Sequence, residues 1–178
     1  MTLEQVFYLT QSIAGIAILA SLVFVGFEVR HNSREARAQT EQHIASSWFV
    51  MAALISQHPA AFYAGLKSKD GLFSDMREND RLTFISIIFA LFKHYENIFR
   101  QFESGHIDED TWTTWSTHVR IYFHQPGVQS WWEIRGAAFT ASFRQFLESS
   151  ARPELPSPVV LMDSGQPAHT IANQDRNV

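Results

Sequence analysis

The sequence predicts an all-α membrane protein, in which one N-terminal transmembrane helix continues into a small helical bundle and an extended, proline-rich tail follows. Three observations indicate this fold: a long uncharged segment near the N-terminus, apolar residues at helical spacing through the middle, and prolines concentrated near the C-terminus. We therefore divide the chain into an anchor with its junction (1–31), a bundle domain (32–151) and a tail (152–178).

Composition narrows the class of protein further. Hydrophobic residues form 46% of the 178 residues, which excludes a disordered chain, and 15 phenylalanines predict a core of large flat side chains. The net charge of -4 is too mild for nucleic acid to be an expected partner. With no cysteine, disulfides, iron–sulfur clusters and cysteine zinc sites are impossible, and we expect no cofactor.

The anchor is predicted from residues 5–27, none of which is charged. As a helix they rise roughly 34 Å at about 1.5 Å per residue, enough to cross a hydrocarbon core of about 30 Å. The alternative, a cleaved signal peptide, needs a basic start, but residues 1–5 contain neither Lys nor Arg. A second apolar run, 82–92, is too short to span and predicts a buried core helix.

Charges around the anchor predict its orientation. Only Glu4 precedes the span, whereas Arg30, Arg34 and Arg37 follow it closely. Because positive charge resists translocation, we expect the N-terminus outside and the helical domain in the cytoplasm.

One face of the anchor is a candidate interface with other membrane proteins, in a larger complex or a homo-oligomer. Small and hydroxylated residues along a stripe allow a second helix to approach closely in lipid. The alternative is that small residues are common in spans and form a stripe by chance. The stripe, with spacings of 4, 3, 4, 3 and 4, consists of Thr10, Ala14, Ala17, Ser21, Phe24 and Glu28.

Beyond the anchor, the pattern predicts a bundle. Residues 30–57 lack Gly and Pro, so the first helix is expected to continue until Pro59 ends it. A short helix is expected over about 60–66, and a longer one over 80–104 with Gly105 as its cap. The next helix is expected to begin at the acidic residues 108–110 and to end before Pro126. A last helix is expected to carry on one face Trp132, Gly136, Phe139, Phe143 and Phe146.

The sequence contains no catalytic or metal signature. Glu28 and His31 have the Glu-x-x-His spacing of helical di-metal sites, but those sites need a second copy and further carboxylates. His94 and His118 are expected to be core or edge histidines with polar partners nearby in the helix. We predict core positions for the tryptophans, with a ligand pocket as the alternative; the candidates are Trp112, Trp115, Trp131 and Trp132.

The tail contains four of the six prolines and one apolar run, which is a candidate docking segment. The alternative is a fully solvated tail. The run consists of Val159, Val160, Leu161 and Met162.

The junction resembles a known group of sequences. Residues 21–38, which include Asn32-Ser33 and Arg37-Ala38, are similar to small uncharacterised bacterial membrane proteins in which one span leads into a helical domain. Residues 101–112, where a glycine and acids precede a tryptophan, match the same pattern. The resemblance covers residues 6 to about 147 and implies this architecture and a bacterial source, hence the inner membrane. It implies no activity.

These observations lead to a hypothesis and two alternatives. We expect a non-enzymatic accessory or scaffold subunit that contacts lipid and binds partner proteins through its transmembrane helix and tail. The first alternative is a membrane-tethered sensor that binds a hydrophobic ligand in its bundle. The second is an enzyme that uses His94, His118 or His124.

Overall fold

A computed structural model describes residues 3–70 and 72–155, and near the start of the first helix it describes only the side chains of residues 4, 7, 11, 15 and 17 onwards. No strand occurs in these residues, which confirms the all-α class. The helices are α1 (Leu3–Gln57), α2 (Pro59–Lys67), α3 (Glu78–Glu103), α4 (Glu109–Phe123), α5 (Pro126–Arg135) and α6 (Ala141–Glu148), with a 3-10 turn at Gly136–Ala138.

The chain divides into two units, Met1–Gln42 and His43–Val178, and α1 contributes residues to both. In the first unit every side chain from residue 17 to residue 39 is exposed. The second unit contains the buried core, which begins at Ile44 on α1.

Helix ends follow the predicted signals. The chain bends by 90° at His58, between α1 and Pro59. Gly105 ends α3 with a φ of 74°, a conformation that costs glycine little, so the predicted cap is confirmed. At the start of α4 the Asp108 carboxylate accepts a hydrogen bond of 2.8 Å from the backbone N–H of Thr111.

The centre of the bundle is α3, as its apolar pattern predicts. Its buried residues run from Phe84 to Phe99 and surround the helix, and it packs against both α2 and α4. Among the described residues α3 is also the one helix whose length and hydropathy suffice to cross a membrane, although half of its apolar window is buried inside the protein. Such burial is typical of a core helix.

Two glycines bring α2 and α5 together. A Cβ added at Gly127 would clash with the backbone carbonyl of Gly65, and one added at Gly65 would overlap the ring of Phe84 on α3. The absence of side chains therefore allows backbone-to-backbone contact where these helices meet.

The prediction of a single last helix is wrong, because residues 126–148 form two helices, α5 and α6, with a break between them. At the break Phe139 is extended, with φ -111° and ψ 159°. Glu96 on α3 accepts a 2.6 Å hydrogen bond from the N–H of Thr140, and the Lys93 ammonium donates to the carbonyl of Ala138 at 2.7 Å. These bonds from α3 replace those that a continuous helix would make.

Candidate functional site

Five ring-bearing side chains from α1, α3 and α4 meet in the second unit, and we call them the aromatic cluster. Trp48 is at its middle, with ring centroids 4.8 Å from His118, 5.5 Å from Trp115 and 6.3 Å from His94. Edge-to-face and stacked pairs at such distances are favourable beyond the area they bury. The cluster consists of Trp48, His94, Tyr95, Trp115 and His118.

A hydrogen bond joins two members of the cluster across helices. The Tyr95 hydroxyl lies 3.0 Å from Nδ1 of His118, and Tyr95 is only 1% exposed. Burial, with a smaller contribution from Tyr122, raises the pKa of Tyr95 well above its ordinary value, so the hydroxyl stays protonated at neutral pH. Burial also lowers the pKa of His118, which favours the neutral ring. A neutral ring with its proton on Nε2 accepts the bond from Tyr95 at Nδ1, and one with its proton on Nδ1 donates it.

His94 has a different environment. Its Nε2 is buried and has no hydrogen-bond partner among the described residues. Burial, and then the nearby His43, lower the pKa of His94, so the neutral ring is favoured here too. The polar partner predicted for His94 is thus absent at Nε2. His118 has a polar partner, but it is Tyr95 on another helix.

An open groove of about 690 Å³ lies on the outer side of the cluster, and we call it the α4 groove. Its aromatic residues are half-buried, Thr113 and Thr114 are exposed, and no lining residue carries a formal charge while His118 is neutral. An uncharged aromatic lining with a few hydroxyls suits an apolar occupant. The lining consists of Trp48, Thr113, Thr114, Trp115, Thr117, His118, Ile121 and Leu155.

The predicted tryptophans divide between core and groove. Trp131 and Trp132 are 2% and 7% exposed and belong to the core. Trp112 is half-buried and stacks on Phe102 at 5.1 Å. Trp115 lines the groove together with Trp48. The spacing of Trp48 among the apolar residues of α1 predicts only that it packs against other helices, so the sequence did not indicate its place in the groove.

The stripe on α1 is described only in part. The structure places Thr10 and Ala14 in the helix, but their side chains lie outside those it describes. The Ser21 hydroxyl donates to the carbonyl of Ala17 at 2.8 Å, so it is satisfied within its own helix. The other described members of the stripe, and the three arginines of the junction, are exposed; these are Ala17, Phe24, Glu28, Arg30, Arg34 and Arg37.

Two candidates remain, the Glu28–His31 pair and the apolar run in the tail. The Glu35 carboxylate lies 3.7 Å from Nδ1 of His31. The described residues contain no group of three metal-ligating side chains. The predicted docking run, Val159, Val160, Leu161 and Met162, lies outside the described residues.

No family model, curated protein or solved structure matches this chain. Function is therefore inferred from the chemistry and geometry of its own residues.

Proposed function

We propose that this chain is a single-span protein of the bacterial inner membrane and acts as a non-enzymatic accessory or scaffold subunit. Residues 5–27 of α1 cross the bilayer, and the bundle lies on the cytoplasmic side. The observation that supports the proposal most strongly is the exposure of apolar side chains around α1.

Large apolar side chains between residues 18 and 29 are all more than half exposed. Successive helical residues are about 100° apart, so these side chains point in every direction around α1. A helix that is apolar on all sides is stable when lipid or protein surrounds it. The residues are Ile18, Leu19, Leu22, Val23, Phe24, Val25, Phe27 and Val29.

The charges that follow support the orientation. Arg30, Arg34 and Arg37 are exposed within two turns of helix, where they favour the cytoplasmic face and its anionic headgroups. The resemblance at residues 21–38 supports a bacterial source.

The small residues of the stripe support a role in assembly. The Ser21 hydroxyl already donates to the carbonyl of Ala17, so Ser21 adds little bulk and no unpaired donor to this face. Close packing of a partner helix, with lipid excluded, is the contact that such a surface favours.

Membrane insertion and orientation can be tested with single cysteines, since the chain has none. An impermeant maleimide should label Glu4→Cys in intact spheroplasts and Thr113→Cys only after lysis. The reverse labelling would overturn the orientation. Leu22→Arg should release the protein into alkaline carbonate, whereas Glu41→Arg, outside the span, should leave it in the membrane; equal retention of both variants would overturn the anchor.

Assembly can be tested by native size after gentle detergent extraction. Replacing Ala14, Ala17 and Ser21 with Leu should reduce the size of the complex. The matched control is Val23→Leu with Gly26→Leu, which adds volume on the opposite face, where a Cβ at Gly26 meets no atom within 4 Å. A complex unchanged in the stripe variant would overturn the interface.

A second function, sensing of a hydrophobic ligand, is favoured by one observation, the uncharged α4 groove. Organic extraction of the purified full-length protein, followed by mass analysis, should then release a stoichiometric apolar compound. Thr117→Trp, which fills the groove, should abolish that recovery, whereas a substitution at exposed Glu133 should not. Extracts that contain no such compound would remove this candidate.

A further inference from the structure

We propose that the α4 groove is the docking site for the tail of the same chain, and that the apolar run 159–162 occupies it. The proposal concerns the second unit alone, so it does not depend on the membrane anchor. It competes with the sensing function, because both assign an occupant to the same groove.

Chain connectivity places the tail beside the groove. Leu155, the last described residue, is itself part of the lining and is 56% exposed. Val159 follows four residues later, and a chain spans at most about 3.3–3.6 Å per residue, so Val159 lies within about 14 Å of Leu155. At the same length per residue, Met162 lies within about 25 Å of Leu155, so the tether keeps the run within reach of the groove.

Tethering makes even a weak contact effective. A segment joined by a short linker is present at an effective concentration in the millimolar range, so docking does not need the affinity of a free ligand. Pro156 and Pro158 fix φ within that linker, which lowers the conformational entropy lost on docking.

The run also matches the groove in chemistry. Residues 159–162 are the only four consecutive apolar side chains after residue 155. Trp48, Trp115 and Ile121 offer half-buried apolar surface, and methionine sulfur packs favourably against aromatic rings. Thr113 and Thr114 are exposed, and the Thr114 hydroxyl donates to the carbonyl of Asp110 at 3.2 Å, so its oxygen can accept from a backbone N–H of the docked segment.

A cysteine pair tests the contact directly in the full-length, otherwise cysteine-free protein. Under mild oxidation in detergent, Thr114→Cys with Leu161→Cys should form an intramolecular disulfide at least tenfold faster than Glu133→Cys with Leu161→Cys, whose first cysteine is exposed on α5 outside the groove. Non-reducing electrophoresis and intact mass measure the rates. Equal rates would overturn the proposal, and so would a disulfide that forms only between two copies.

A second measurement needs no disulfide. Full-length Leu161→Asp should show stronger acrylamide quenching of tryptophan fluorescence than wild type, because Trp48 and Trp115 become accessible. Ala172→Asp adds the same charge outside the run and should quench as wild type does. Equal quenching in both variants would overturn the proposal. If the protein also copurified with an apolar compound, that result would support the sensing function instead.

Discussion

The Tyr95 hydroxyl and Nδ1 of His118 share a hydrogen bond of 3.0 Å, and this bond connects the central helix α3 with the groove-lining helix α4. Tyr95 is almost fully buried, whereas His118 also lines the α4 groove. The two residues are 23 positions apart, so the bond depends on the packing of two helices.

Tyr95→Phe should destabilise the bundle by about 1–2 kcal/mol, since it removes the hydroxyl that shares this bond with Nδ1 of His118. Urea unfolding of the full-length protein, followed by circular dichroism at pH 7.5, measures the loss. Tyr63→Phe is the control, because its hydroxyl bonds at the surface to Lys67. Equal losses in both variants would contradict the importance of the buried bond.

Stability should fall as pH falls below about 6.5. Burial lowers the pKa of both His94 and His118 in the folded state, so the unfolded chain binds more protons and is favoured by acid. The contribution is fully present above the unfolded pKa and is lost as pH falls toward the folded values. Each ring changes the free energy of unfolding by at most about 1.4 kcal/mol per pH unit, because it binds a single proton.

His94→Phe tests this origin of the pH dependence. The variant keeps a ring against Trp48 but removes one titrating group, so its stability should decline less steeply between pH 7.5 and 5.5. Trp48→Phe changes the same cluster without removing a titrating group and should retain the slope of the wild type. Identical slopes in all three proteins would show that His94 is not the source.

Local signals in the sequence predicted most helix boundaries. Pro59, Gly105 and Asp108 act within one turn of the chain, and each ends or begins a helix where expected. The central position of α3 also followed from its own residues, because an apolar pattern around the whole helix requires burial on most sides.

The aromatic cluster and the break between α5 and α6 could not be predicted in this way. Trp48, Tyr95 and His118 come from three helices, and their spacings within each helix indicate only a packed face. The break at Thr140 is stabilised by Glu96, 44 residues earlier, and no proline marks it. Both features depend on contacts between distant parts of the chain. The spacing of apolar residues within one helix contains no information about such contacts.

Gly127→Ala should destabilise the bundle by about 3 kcal/mol or more, at the upper end of overpacking costs, because the new Cβ would meet the rigid backbone of Gly65. Urea unfolding at neutral pH measures the change. Gly26→Ala, where a Cβ meets no atom within 4 Å, should change the stability of the bundle little. A Gly127 variant as stable as wild type would mean that α2 and α5 are farther apart than described.

Glu96→Gln should destabilise α6 and the turn before it. The Glu96 carboxylate, 7% exposed, accepts 2.8 Å and 2.6 Å hydrogen bonds from the Lys93 ammonium and the Thr140 N–H, respectively. Burial alone would raise the pKa of Glu96. The hydrogen bonds lower it by a larger amount, so the net pKa is below its ordinary value and the folded state favours the ionised form. Hydrogen bonds to charged groups contribute about 1.5–3 kcal/mol, and we expect a loss in that range at pH 7.

The acid dependence of this loss separates Glu96 from the histidines. Because the folded pKa is lowered, the stabilisation from Glu96 is present above the ordinary value of 4.5 and disappears as pH falls through the folded pKa. Wild type and Glu96→Gln should therefore converge in stability below pH 4.5, while they decline in parallel from pH 7.5 to 5.5. Hydrogen exchange at the Thr140 amide should be faster in the variant at pH 7, and unchanged protection there would contradict the role assigned to Glu96.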